Sequence, residues 1–356
     1  MNPMEVSMKQ SLILAALTSF RGERSAKASF HLLNGKRTIQ TVQDGTFFNN
    51  LFLFDVLPQL TIEAFQQSLD MLKQEQFIYE EDRLCLHTEK AKRETEAFLA
   101  KHPYLYALKG WQYGKVERHF WERFALLVQS ISYLHDQQTF APTTFNVWNQ
   151  QWVRKILKRH FHDLAALRQQ LYQECETLLT DVEDLDANLF VQQLSRPGKI
   201  GLTKAQIARE MGLDESEVQL RTKRLIHRFC QSGYQEPHRY PVLATCFDPE
   251  EINLLTLTAT KTAHLYKQHQ DLNVIAKIRR LKRSTIEDHI VEMAMVDRSF
   301  SIAPFVDESV QAQVEAIVAN QQVRLKAIRN QLDDSVSYFQ IRLILAKKEG
   351  DTHVRT

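Results

Sequence analysis

Two short stretches of this chain, 202–218 and 272–290, repeat one grammar: a helix, a tight turn and a second helix. In the first, from Leu202 to Val218, the apolar residues Ile207, Met211, Leu213 and Val218 are spaced to share one core. Ala208 is small where two helices must cross closely, and Gly212 is free to take the positive φ of a sharp turn. Asp214 stands where it would cap the second helix, with Glu217 three residues further on. Arg221 falls where another apolar contact would be usual, which directs the packing to Leu220 and Leu225.

The second stretch runs from Leu272 to Ile290 after a helix expected over 254–266. Ile275, Leu281, Ile286 and Ile290 supply its core and Ala276 the close crossing. Ser284 with Glu287 forms a Ser-x-x-Glu capping box, which predicts the start of the second helix there. Lys277, Arg279, Arg280, Lys282 and Arg283 crowd the turn, where a phosphate would lie if Thr285, Asp288 and His289 faced a groove. These eight residues are the expected DNA-binding set. In the first stretch Lys204, Gln206, Ser216, Gln219 and Lys223 form a secondary set for DNA or a partner, because Asp214, Glu215 and Glu217 would repel phosphate at the approaching end.

Around these stretches the pattern is mainly α: tandem winged-helix and helix-turn-helix modules joined by a helical middle region. Residues 1–100 read as helices followed by a hairpin, with Phe77-Ile78-Tyr79 and Leu84-Cys85-Leu86 flanking the polar Glu80-Glu81-Asp82-Arg83, the layout of a winged helix. Residues 101–190 form the aromatic-rich middle, with Trp111, Trp121, Trp148 and Trp152. Its basic run, Arg154 to His160, reads first as a solvated helix face, with nucleic-acid contact as the alternative. Acidic residues from Glu174 to Asp186 mark a boundary. The first helix-turn-helix occupies 191–248 and the second 249–350.

The second stretch resembles a known family. Ile275-Ala276, Arg279, Leu281-Lys282, Ser284-Thr285-Ile286-Glu287 and His289-Ile290 are similar to the helix-turn-helix domain at the C-terminal end of many RecQ-type helicases. That domain also occurs in stand-alone YpbB-like proteins of low-GC Gram-positive bacteria. Leu325-Lys326-Ala327-Ile328 and Ser337 to Ala346 resemble the family's closing helices. Glu23-Arg24-Ser25, His31 to Lys36 and Gln40 to Asp44 resemble the stand-alone members, carrying the likeness over most of the chain. Two positions depart from the pattern: His269 and Arg280 stand where the family usually has glycine.

The sequence contains no G-x-x-x-x-G-K-[ST] phosphate loop, no H-E-x-x-H and no G-x-S-x-G. His160 and His162 are two apart and do not share a helical face, so no metal or cofactor is expected. The four cysteines are far apart, as in a reducing compartment, and no uncharged apolar run reaches the roughly 20 residues that span a bilayer. With a net charge of +2, any attraction for nucleic acid must come from local clustering. The resemblance implies a non-enzymatic accessory protein that binds duplex or junction DNA without strong sequence preference. It would work with a RecQ-type helicase in repair or recombination, with single-strand-binding protein as a further candidate partner. A cytoplasmic, nucleoid-associated location follows from that role. A helix-turn-helix transcription regulator and a protein-only scaffold are the alternatives.

Overall fold

The structure, a computed structural model, describes residues 7–82, 84–248, 251–252, 254–297, 299–320 and 325–348. Residues 1–6, Arg83 of the expected hairpin turn, 249–250 and 349–350 lie outside the described residues, as does the side chain of Lys326. In chain order come α1 (Met8–Ser19), α2 (Ala26–Leu33), α3 (Ile39–Phe47) and α4 (Ile62–Gln74), then strands β1 (Ile78–Glu81) and β2 (Leu84–His87). They are followed by α5 (Glu89–Lys101), α6 (Gly110–Tyr113), α7 (Glu117–His135), α8 (Val147–Arg159), α9 (Leu164–Thr180) and α10 (Asp184–Val191). Next are α11 (Lys204–Met211), α12 (Glu215–Gln235), α13 (Pro241–Ala244), α14 (Leu257–His269), α15 (Leu272–Arg279) and α16 (Arg283–Val296). The last are α17 (Glu308–Asn320), α18 (Leu325–Arg329) and α19 (Tyr338–Lys348). The fold is mainly α. Among the described residues no helix is long and apolar enough to cross a membrane.

The chain forms two compact units, one of 1–35 with 52–252 and the other of 36–51 with 253–356. The first sequence segment is therefore divided between them, because α3 packs on α16 and α19 within the second unit.

Unit 1 is organised by α1 and α12. Helix α1 is apolar around its whole circumference, with Leu12 to Leu17 all buried, as a helix surrounded by protein must be. It packs on α2, α4, α5 and β2. The hairpin β1–β2 is antiparallel, with Tyr79 opposite Leu86 and Glu80 opposite Cys85. Helix α12 packs on α6, α7, α10, α11 and α13. Phe124, Phe190 and Phe229 bring α7, α10 and α12 into one aromatic core, with ring centroids 4.7–5.7 Å apart. Aromatic pairs at such separations add to the stabilisation that burial itself gives.

A charged network lies inside this unit. The buried Lys223 Nζ is 2.8 Å from Asp55 Oδ2 and 2.9 Å from Glu117 Oε2. His227 Nδ1 accepts the Lys109 N–H at 2.9 Å, which leaves Nε2 to donate to Glu117 at 2.9 Å. That tautomer is neutral, and burial holds the imidazole below its usual pKa. Burial opposes the charge on Glu117, but the hydrogen bond from His227 and the nearby Lys223 bring its carboxyl down to about 2. Close backbone approach completes the site: a Cβ on Gly110 would stand 2.1 Å from the Phe54 carbonyl oxygen, so only glycine fits.

In unit 2, α14, α15 and α16 form a three-helix cluster closed by α19, with α17, α18 and α3 against it. Leu272, Ile275, Ile286 and Ile290 are buried at its centre and Leu281 packs against them.

Candidate nucleic-acid interface

The interface candidate in unit 2 is built by its caps. Asp271 begins α15 by accepting the N–H groups of Asn273 and Val274 at 2.7 and 3.4 Å. Arg280 ends it in the left-handed conformation, φ 52° and ψ 43°, and donates its N–H back to Ala276 and Lys277. A non-glycine residue in that region is held there by its surroundings, and the Leu281 N–H to Ala276 carbonyl bond at 3.0 Å closes the turn. The corresponding left-handed residue after α14 is Gln270, one place beyond the His269 position noted in the sequence.

The expected capping box is absent. Lys282 is the N-cap of α16 and offers no side-chain cap, because the helix starts at Arg283, ahead of Ser284. Glu287 instead accepts from Arg283 Nε at 2.9 Å.

Five basic residues meet at this turn, and they divide into two kinds. Arg279 turns inward, donating to the Thr258 carbonyl at 2.9 Å and to Thr262 Oγ1 at 2.7 Å. Arg283 is engaged by Glu287 and by Asn273 Oδ1 at 2.6 Å. Lys277, Arg280 and Lys282 are exposed and have no ion-pair partner among the described residues. A phosphate is the kind of partner such a cluster takes. Thr285 stands partly exposed at the first turn of α16.

Two members of the expected set do other work. His289 is 1% exposed, and its Nδ1 faces Thr262 Oγ1 at 2.8 Å. Thr262 Oγ1 thus bridges the Arg279 guanidinium and the His289 ring. Burial, with the Arg279 cation nearby, lowers the imidazole to a pKa of about 4. His289 is thus a neutral core group, not a groove-facing one. Asp288 forms an ion pair with Arg342 of α19, whose guanidinium also donates to Gln43 of α3 at 3.1 Å. It joins three helices of its own unit, and its negative charge would oppose a phosphate.

In unit 1 the other helix-turn-helix pair, α11–α12, follows its sequence closely in backbone. Thr203 caps α11 in a reciprocal box with Gln206, Gly212 takes φ 66°, and Asp214 caps α12 through the Ser216 N–H at 2.7 Å. Arg221 and Lys223 of α12 face inward. Arg221 is buried against Asp186 at 2.9 Å and Glu217 at 2.9 Å, and its guanidinium lies 4.3 Å over the Tyr104 ring. Lys223, named in the secondary set, belongs to the buried network with Asp55 and Glu117 and is closed to an outside partner. Gln206 is engaged by Thr203, while Lys204, Ser216 and Gln219 are partly buried. Asp55 went unnoticed in the sequence, although a lone acid inside the apolar run Leu51-Phe52-Leu53-Phe54-Asp55-Val56-Leu57 signals a buried charge that needs a partner.

Capped short helices, a tight turn and a patch of cations with no ion-pair partner among the described residues define unit 2 as a helix-turn-helix module. The description of a helix-turn-helix domain family matches residues 258–345, which supports DNA binding. Protein YpbB of Bacillus subtilis (strain 168) is 32% identical over 343 residues, covering 95% of this chain and 96% of that protein. The chain belongs to the YpbB family. No solved structure matches it.

Proposed function

We propose that this protein is a non-enzymatic DNA-binding accessory factor that holds duplex or junction DNA through the α15–α16 turn and works with a RecQ-type helicase. The observation that carries the DNA-binding half is the cluster Lys277, Arg280 and Lys282, three exposed cations with no ion-pair partner among the described residues, on a helix-turn-helix module. Arg279 and Arg283 brace the turn, and Thr285 is the side chain placed for a backbone or base contact. The resemblance of 254–347 to the domain carried by RecQ-type helicases supports the partnership and the role in repair or recombination. A nucleoid-associated location in the cytoplasm goes with it.

Anisotropy of a labelled random-sequence duplex tests the first half: the protein binds it, with no large preference for one sequence. Co-purification from the native host tests the second. Recovery of a RecQ-type helicase with the tagged chain, resistant to nuclease, is the expected result, and its absence under conditions that preserve DNA binding contradicts the partnership.

A further inference from the structure

From Gln137 to His162 the sequence contains no aspartate or glutamate, and α8 lies within this stretch. One side of α8 is fixed in unit 1. Asn149, Val153 and Ile156 are buried, Trp152 Nε1 donates to the Thr245 carbonyl at 2.6 Å, and Arg123 stacks on the Trp152 ring at 3.9 Å. At about 100° per residue, Lys155 and Arg159 fall within roughly 20° of Trp148 around the helix axis. The buried residues sit about 80–140° to one side of that line, and Arg154 and Lys158 fall on the other. All four cations are exposed and have no ion-pair partner among the described residues. Glu122, which reaches the inner side of α8, is occupied by Asn149, Thr144 and Arg118.

Aromatic rings stand in solvent at both ends of this cationic face. Trp148 is 79% exposed and Phe145 96% exposed at the start, and Phe161 is 70% exposed just past the end. The helix spans about 16 Å from Trp148 to Arg159. Rings that stack on bases, separated by cations that follow a backbone, are the physical requirements of a single-stranded nucleic-acid site. We propose that the outer face of α8, with Phe145 and Phe161, binds single-stranded nucleic acid without sequence preference. The charge selects a polyanion. The exposed rings select one with bases, since a duplex keeps its bases stacked inside and offers them no flat face.

The test uses the full chain with labelled oligo(dT) and, separately, random duplex. Oligo(dT) binds and quenches tryptophan fluorescence, whereas heparin, a polyanion without bases, does not reproduce the quench. Trp148→Ala weakens oligo(dT) binding about fivefold or more and removes most of the quench, as the loss of one base stack does. Replacing Arg154, Lys155, Lys158 and Arg159 with Gln makes the slope of log affinity against log salt shallower by about 2 to 3. Because these side chains are exposed, both variants keep the parent's circular dichroism and its duplex binding through unit 2. Parental affinity of both variants for oligo(dT) overturns the proposal. So does a Trp148 signal that answers to anionic phospholipid vesicles and not to oligo(dT). Loss of duplex binding in a Lys277/Arg280/Lys282 variant that still binds oligo(dT) separates this site from the turn.

Discussion

Helix α12 continues for 21 residues through the middle of its unit, whereas α16, the second helix of the other pair, runs for 14 and has at its entrance cations with no ion-pair partner among the described residues. Both pairs have a small residue at the crossing, a left-handed turn residue and an acidic cap on one helix. Their charges are handled in opposite ways. In α12, Arg221, Lys223 and Arg224 are answered by Asp186, Asp55, Glu117 and Glu217 inside the protein. At α15–α16, Lys277, Arg280 and Lys282 are answered by nothing among the described residues. On the proposed reading the backbone motif alone does not make a DNA-reading element, and what decides is whether the cations near the turn already have partners.

The largest effect expected from breaking this contrast is in unit 1. Lys223→Met leaves the half-buried Asp55 and Glu117 without their cation, and should lower stability by about 3 kcal/mol in urea denaturation. Duplex affinity of the fraction that remains folded should stay at the parent's value. An unchanged denaturation midpoint would show that the network is not structural.

A smaller effect is read by pH in unit 2, and in unit 1 the buried His227, also held below its usual pKa, costs stability in the same direction on acidification. His289 has a folded pKa of about 4 against an ordinary 6.5, so between those values the unfolded chain binds more protons and stability falls as the pH falls. At about 1.4 kcal/mol per pH unit the full loss is roughly 3 kcal/mol in unit 2, complete about one unit below the folded pKa. Glu117, held down at about 2, releases its contribution only at lower pH, as it takes up a proton. Hydrogen exchange of α14 and α16 amides at pH 7 and 4.5 checks this, and His289→Gln should remove most of the dependence.

Helix caps give the smallest effect. Asp271→Ala removes two accepted N–H bonds and should cost about 1 kcal/mol, whereas Ser284→Ala should cost under about 0.5 kcal/mol because its hydroxyl caps nothing. Equal losses would restore the capping box read from the sequence.

That box shows where local reading stops. The turns were legible because Gly212 and the break after Arg279 are properties of a few consecutive residues, as are the Asp214 cap and the hairpin of β1 and β2. His289 was placed wrongly among the groove-facing residues, although its position three residues after Ile286 and one before Ile290 puts it on the apolar side of α16. Its ionisable ring hid that position. The partner of Arg221 was not legible, because Asp186 comes from α10, 35 residues away. Nor was the destination of α3, whose Phe47 packs on the core of a unit built mainly from residues beyond 252. Among the candidate DNA contacts, residue type marked the five cations, but only the folded side chains show that Arg279 and Arg283 are engaged and the other three are not.

The most direct measurement of this contrast is the salt dependence of binding to random duplex DNA by three proteins. They are the parent, a Lys277→Gln/Arg280→Gln/Lys282→Gln variant, and an Arg224→Gln/Arg228→Gln variant of α12, whose guanidiniums are paired with Asp186 and Asp181. If unpaired cations at the α15–α16 turn hold the phosphates, the first variant loses affinity and its slope becomes shallower by about 2 to 3, at about 0.9 per contact, while the second keeps the parent's slope. A parental slope in the turn variant, or an equal loss in both, would contradict the account.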